Sequence, residues 1–147
     1  KNDKNKEDEI IDLETLHKNA LTLFEQETKW LKENKTKKTL LTDFKIQVAW
    51  RYEIKDANDE YRWHIGKIKR YSREKNQVKA GNNWDVEFKE DDTSKRLEHK
   101  MYLKSDDYMW DRDFDSELKQ YLWYFDKPMD VIKKLQKRHT PASLLIK

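Results

Sequence analysis

The chain has 147 residues, of which 41% are charged and 35% are hydrophobic, and its formal net charge at pH 7 is +3. These values predict one domain with a small core, and the low net charge gives no nucleic-acid-binding signature. Six Trp, seven Tyr and five Phe argue against a disordered chain, and the absence of cysteine excludes disulfides and thiolate metal sites. No apolar stretch approaches the roughly 18 residues that a membrane-spanning helix needs.

The first 40 residues predict a charged N-terminus followed by one amphipathic helix over residues 9–34. Leu13, Leu16, Ala20 and Leu23 recur at three- and four-residue spacing, which places them on one face of a helix. We expect this apolar stripe to be buried, either on the rest of the domain or on a partner protein. Residues 35–39 show no periodicity and are interpreted as a linker.

The middle of the chain, residues 41–105, predicts a small β-barrel. Three runs alternate between apolar and polar residues, and a weaker fourth run follows: 44–52, 61–71, 84–88 and 97–103. Period two is typical of half-buried antiparallel strands. Four or five short strands in about sixty residues are too few for a sandwich and suit a strongly bent barrel. Gly66 lies inside the second run, where a bulge, a bend or a close backbone approach is expected.

The last part of the chain, residues 106–147, predicts an acidic segment followed by two helices. Phe114, Leu118 and Phe125 follow helical spacing and predict a helix over 114–125. Pro128 suits the first turn of a further helix over 128–139. The expected fold is therefore α+β, with a bent antiparallel barrel flanked by one N-terminal and two C-terminal helices.

The sequence offers no recognisable catalytic, metal or cofactor chemistry. The four histidines lack metal-ligand spacing, and two distant glycines cannot form a phosphate-binding loop. No serine occupies a nucleophile elbow, and the acids Asp91, Asp92, Asp106 and Asp107 lack the glycine that shapes a calcium loop. We expect a protein that is not an enzyme and that uses no cofactor or metal.

One group of residues is distributed like the strands and turns of a known family of small barrels. The group comprises Val48-Ala49-Trp50, Tyr61 to Ile68, Asp85 to Asp92, Leu97 and Met101-Tyr102-Leu103. In this respect residues 44–104 resemble a Tudor domain, and more broadly the Royal family of SH3-like barrels. The run 63–68 is also similar to the PWWP branch, whose members often carry helices after the barrel, although the eponymous prolines are absent.

The resemblance implies a reader of methylated lysine or arginine that holds the methylated group in an aromatic cage. The cage positions it implies are Trp50, Trp63 and Phe88, with Asp91 where a fourth aromatic residue is common. Tyr52 and Tyr61 are possible substitutes. An acid in the cage either favours lower methylation states through a charge-assisted hydrogen bond or leaves the cage without function. Ring faces attract alkylated ammonium groups whatever the family.

Two functions of different classes follow. The first is a chromatin-associated, nuclear module that binds a methylated histone-type tail and adds weak phosphate contacts through Lys69, Arg70, Arg73 and Lys75. The second is a non-catalytic interaction module, nuclear or cytoplasmic, that docks into a larger complex through its barrel and helices. A barrel mouth left open favours the first, and a mouth plugged by the N-terminal helix or by residues 108–110 favours the second. A barrel that binds single-stranded nucleic acid is a third interpretation, and no membrane partner is expected.

Overall fold

In the computed structural model, two helices flank one five-stranded antiparallel sheet. The structure describes residues 2–52, 60–72, 83–89, 96–111 and 120–139, and for residues 2–12 and 52 it describes the backbone alone. The elements are α1 (Asn2–Glu33), β1 (Lys45–Tyr52), β2 (Glu60–Tyr71), β3 (Trp84–Lys89), β4 (Arg96–Met101), a 3-10 turn (Ser105–Asp107), β5 (Tyr121–Phe125) and α2 (Pro128–Leu135).

The strands are arranged in the order β4-β3-β2-β1-β5. Every neighbouring pair is antiparallel, with β5 returning to lie beside β1. The strands β1 to β4 confirm the four alternating runs of the sequence, whereas β5 comes from beyond residue 105. In the described part of the chain β4 and β5 are the two edges of the sheet, so the sheet is not closed and the predicted bent barrel is not confirmed.

The predicted helix over 114–125 is wrong where the structure describes it, because residues 121–125 form β5. Residues 114–119 lie outside the described part. The five consecutive residues Tyr121 to Phe125 are aromatic or apolar, and Leu122, Trp123 and Phe125 are all buried. Such an uninterrupted run is typical of a strand that is covered on both faces.

The core lies between α1 and the inner face of the sheet, the face that carries Ile46, Val48, Trp84 and Val86. From α1, the ring of Phe24 lies 5.2 Å from Trp84, 5.2 Å from Trp123 and 5.4 Å from Phe125, measured between ring centroids. Ala20 and Leu23 are fully buried, which confirms half of the predicted stripe. Leu16 is half-buried and Leu13 is 40% exposed, so the burial of the stripe decreases toward the N-terminus of α1.

A buried carboxylate joins α1 to the segments that follow α1 and α2. Glu27 is fully buried and accepts hydrogen bonds from the Thr39 hydroxyl and the Leu40 N–H, each at 2.9 Å. It also accepts bonds from Arg138 at 3.0 Å and pairs with His139 at 2.8 Å. Burial alone would raise the pKa of Glu27, but these hydrogen bonds lower it below its ordinary value.

Candidate functional site

Four rings from four strands meet at one end of the inner face; we call Trp50, Phe88, His99 and Tyr121 the Trp50 cluster. The centroid of the Trp50 ring lies 5.2 Å from Tyr121, 5.7 Å from His99 and 6.0 Å from Phe88. The plane of the Trp50 ring is tilted by 51 to 64° to the other three rings, so none of the three stacks parallel to it. Tilted and edge-to-face arrangements at such distances are favourable between aromatic rings.

Strand pairing places these four side chains on one face. Directly paired residues share a face of a sheet, and successive residues alternate between faces. Trp50 is paired with Tyr121, and Phe88 is paired with Gly66, which in turn is paired with Ile46 of the core. The Trp50 cluster is therefore the outer end of the same face that forms the core.

Strong curvature of the sheet brings the cluster together. Strands β1 and β4 are separated by two other strands, so in a flat sheet they would lie roughly 14 Å apart. The Trp50 and His99 rings nevertheless lie 5.7 Å apart. The inner face is thus concave at this end of the sheet.

Gly66 allows this packing, because the ring of Phe88 lies directly over it. A Cβ at residue 66 would lie 2.6 Å from Cγ1 of Val86 and 2.8 Å from Cε1 of Phe88. The close neighbours of this glycine are thus the side chains of Val86 and Phe88, rather than the other backbone that was one of the expected alternatives. A register shift between Ile68 and Arg70 adds a bulge two residues further along the strand.

Exposure differs within the cluster. Phe88 is 7% exposed, Trp50 and Tyr121 are half-buried, and His99 is exposed. The Tyr121 hydroxyl bonds to the backbone of Tyr102, and burial raises the pKa of Tyr121 to about 12. Tyr121 is therefore a neutral wall of fixed orientation, and Trp50 offers the partly accessible ring.

The structure brings together two of the predicted cage residues and separates the third. Trp63 is paired with Ala49 and therefore points to the outer face, where its ring lies 5.3 Å from Tyr124. Tyr61 lies on that outer face as well. The side chain of Tyr52, together with all of Asp91, lies outside the described part. The predicted convergence of Trp50, Trp63 and Phe88 at one site is thus wrong as regards Trp63.

Sequence reasoning missed His99 and Tyr121. The alternation of Leu97, His99 and Met101 in the fourth run was a signal that could have assigned His99 to the inner face. Tyr121 could not have been found in this way while its segment was interpreted as a helix. The face that Trp63 occupies could also have been predicted from the sequence. Trp63 and Gly66 are three residues apart and so lie on opposite faces of one strand.

The residues that were predicted to contact phosphate form ion pairs within the protein wherever the structure describes them. Lys69 pairs with Asp43 at 3.2 Å, and Arg70 pairs with Asp85 at 2.9 Å and also with Glu98. Arg73 and Lys75 lie outside the described part. These ion pairs weaken the case for Lys69 and Arg70 as phosphate ligands.

In the described residues, no group of three His, Cys, Asp or Glu side chains could hold a metal ion. No helix in that part is long and apolar enough to cross a membrane. No protein-family model, curated protein or solved structure matches the chain. The likeness to Tudor domains therefore remains a hypothesis that depends on the residues quoted above.

Proposed function

We propose that this protein is a non-catalytic binding module that holds a methylated lysine or arginine side chain against the Trp50 cluster. The observation that carries the proposal is the arrangement of three tilted rings around Trp50, which is itself half-buried at the end of a concave sheet. Ring faces attract an alkylated ammonium group by about 0.5–2 kcal/mol each. A peptide held in this way would bind weakly, with a dissociation constant that is roughly micromolar or higher.

The roles within the cage follow from exposure. Trp50 supplies the ring face that the ligand contacts, Phe88 and Tyr121 support it from two sides, and His99 forms the exposed rim. Trp63 has no part in this revised cage. Asp91 keeps its proposed role of favouring lower methylation states through a charged hydrogen bond.

The accessibility of the cluster supports this function over a plugged barrel. In the described part of the chain, the ring contacts of Trp50 are with Phe88, His99 and Tyr121. The ring of Phe24 from α1 packs at Trp84, Trp123 and Phe125 instead, and Tyr108 contacts Trp123 and Phe125.

We infer further that the curled sheet is an open form of the small Royal-family barrel. The hydrogen bonds between Tyr121 and Tyr102 support this inference, because they join β5 to the residue that follows β4. A methylated histone-type tail is the ligand that this family resemblance implies, and the protein would meet it on chromatin in the nucleus.

The test is a titration of methylated and unmethylated histone-type peptides with matched tryptophan variants. Trp50→Leu should abolish methyl-dependent binding, whereas Trp63→Leu, on the outer face, should leave it unchanged. Circular dichroism of both variants checks that each is folded. Equal affinity of the wild-type protein for methylated and unmethylated peptides would refute the reader function.

The alternative is an interaction module without a methylated ligand, and one observation favours it. Phe88 is only 7% exposed, so this wall of the cage is already packed against its neighbours. Under this alternative the four rings stabilise the end of the sheet, and Trp50→Leu lowers the melting temperature with no methyl-dependent binding to lose. The same titration therefore separates the two functions.

A further inference from the structure

A second cleft, separate from the Trp50 cluster, lies between α1 and the segment that follows β4. It has a volume of about 360 Å³, which is within the range of small-molecule sites. Thr28, Lys29 and Lys32 line it from α1, residues 102–106 line it from the opposite side, and Asn83 is also part of its lining. No residue of the Trp50 cluster contributes to this cleft.

Asn83 is a buried polar residue with an unmet hydrogen-bonding need. It is 5% exposed, and in the described part of the chain its side-chain oxygen has no hydrogen-bond partner. Its backbone is fixed, since its N–H donates to the Met101 carbonyl at 3.1 Å and its carbonyl accepts from the Ser72 N–H at 2.8 Å. Burying an amide without a partner is unfavourable, so a ligand that bonds to it would be stabilised.

Lysine side chains from two separate elements line the same cleft. Lys29 and Lys32 come from α1, and Lys104 comes from the segment after β4. Within the described residues none of the three has an ion-pair partner, whereas Lys69 and Arg70 on β2 are paired. The carboxylates of Glu25 and Asp106 also line the cleft, which leaves one more ammonium group than carboxylates.

The backbone around Lys104 is held in place. The Trp123 indole N–H donates to the Lys104 carbonyl at 2.9 Å, and the Lys104 ammonium lies 5.5 Å from the centroid of the Tyr102 ring. One wall of the cleft is therefore preorganised, which lowers the entropy that a ligand loses on binding.

We propose that this cleft binds a small phosphate-bearing anion. Phosphate carries several acceptor oxygens, so more than one lysine can contact it at once. The protonated form of phosphate also carries an O–H group, which can donate a hydrogen bond to the amide oxygen of Asn83. Alternatively, the amide of Asn83 can rotate so that its NH2 group donates to a phosphate oxygen. Asn83 and the lysines Lys29, Lys32 and Lys104 are thus the ligand-binding residues.

The test uses the full chain, titrated with inorganic phosphate and with pyrophosphate, and followed by amide NMR including the side-chain NH2 of Asn83. Saturable shifts are expected at Asn83 and at residues 103–105. Lys32→Gln should weaken binding about tenfold, the usual effect of losing one hydrogen bond to a charged group. Lys133→Gln, an equal change of charge on α2, should leave the affinity unchanged.

Several outcomes would overturn the proposal. These are the absence of saturable shifts at millimolar phosphate, equal weakening by Lys32→Gln and Lys133→Gln, and acetate binding with the affinity of phosphate. Asn83→Ala should also weaken binding. If that variant does not fold, Lys32→Gln combined with Lys104→Gln decides the question, because both side chains are exposed and their loss leaves the core intact.

Discussion

The hydroxyl of Tyr121 accepts a hydrogen bond from the backbone N–H of Tyr102 at 2.9 Å and donates one to the carbonyl of the same residue at 2.6 Å. Tyr102 directly follows β4, and Tyr121 is the first residue of β5. This side chain therefore links the two edges of the sheet, which in the described part of the chain are not paired with each other as strands. This connection helps to keep the sheet curled around the Trp50 cluster.

Tyr121→Phe should lower the free energy of unfolding by about 1–2 kcal/mol, because both hydrogen bonds to Tyr102 are lost. Urea denaturation measures the change. Tyr102→Phe is the matched control, since the hydroxyl of Tyr102 has no hydrogen-bond partner in the described part of the chain, and its effect should stay within about 0.5 kcal/mol. Equal stability of Tyr121→Phe and the wild-type protein would show that the connection between the edges is not needed.

Gly66→Ala should lower the free energy of unfolding by about 1–3 kcal/mol, the usual effect of inserting a methyl group into a packed core. The new methyl group would overlap Cγ1 of Val86, which lies 2.6 Å from its position. Val86→Ala removes that atom, so the double variant should be more stable than the sum of the two single effects predicts. Strict additivity in denaturation measurements would contradict this account.

The alternating runs of the sequence were enough to predict β1 to β4, because apolar and polar residues largely alternate along them. They were not enough for β5, since Leu122 and Trp123 are both buried and therefore leave no alternation to detect. Only pairing with β1 distinguishes this segment from a helix. That pairing joins residues more than seventy positions apart and cannot be deduced from local propensity.

The candidate site could be predicted only in part for a related reason. Trp50 and Phe88 lie in runs with clear alternation, and the structure places both on the inner face. Trp63 lies in a longer strand with a bulge, and apolar residues occur on both faces of that strand. The aromatic character of a residue indicates that it is suited to a cage, but the register of its strand decides which face it occupies.

Stability should fall as the pH is lowered from about 7 to about 5, because of His17. His17 is buried against Tyr108, Trp110 and Tyr124, and burial lowers its pKa from 6.5 to about 4. Between these values the unfolded chain binds a proton that the folded chain does not bind. The expected loss is about 2 kcal/mol at pH 5, and guanidinium unfolding at the two pH values measures it.

His17→Phe is the matched control for this pH effect. The phenyl ring retains an aromatic contact with Trp110 but cannot be protonated, so the loss of stability between the two pH values should shrink by the same amount. The variant also lacks the hydrogen bond between Nδ1 and the Tyr108 hydroxyl, which is 2.5 Å long. Its stability at neutral pH is therefore the baseline against which the pH effect is judged. An unchanged pH dependence would assign the effect to another group.

Glu27→Gln should be the most damaging of these substitutions, at about 3 kcal/mol, because it leaves Arg138 and His139 without the charge they face. Glu14→Gln is the surface control: Glu14 pairs with Lys18 at 3.0 Å, but both side chains are exposed, so its loss should cost less than about 1 kcal/mol.

Folding lowers the pKa of Glu27, so its contribution to the free energy of unfolding decreases as the pH is lowered. The stabilisation is complete above the unfolded value of 4.5 and is lost as the pH falls through the lower folded value. This window begins at the lower end of the one in which His17 acts, so acid titrations of the His17→Phe protein isolate it. If Glu27→Gln removes no stability at neutral pH, or if the acid loss persists in that variant, the buried carboxylate does not hold α1 to the segment after α2.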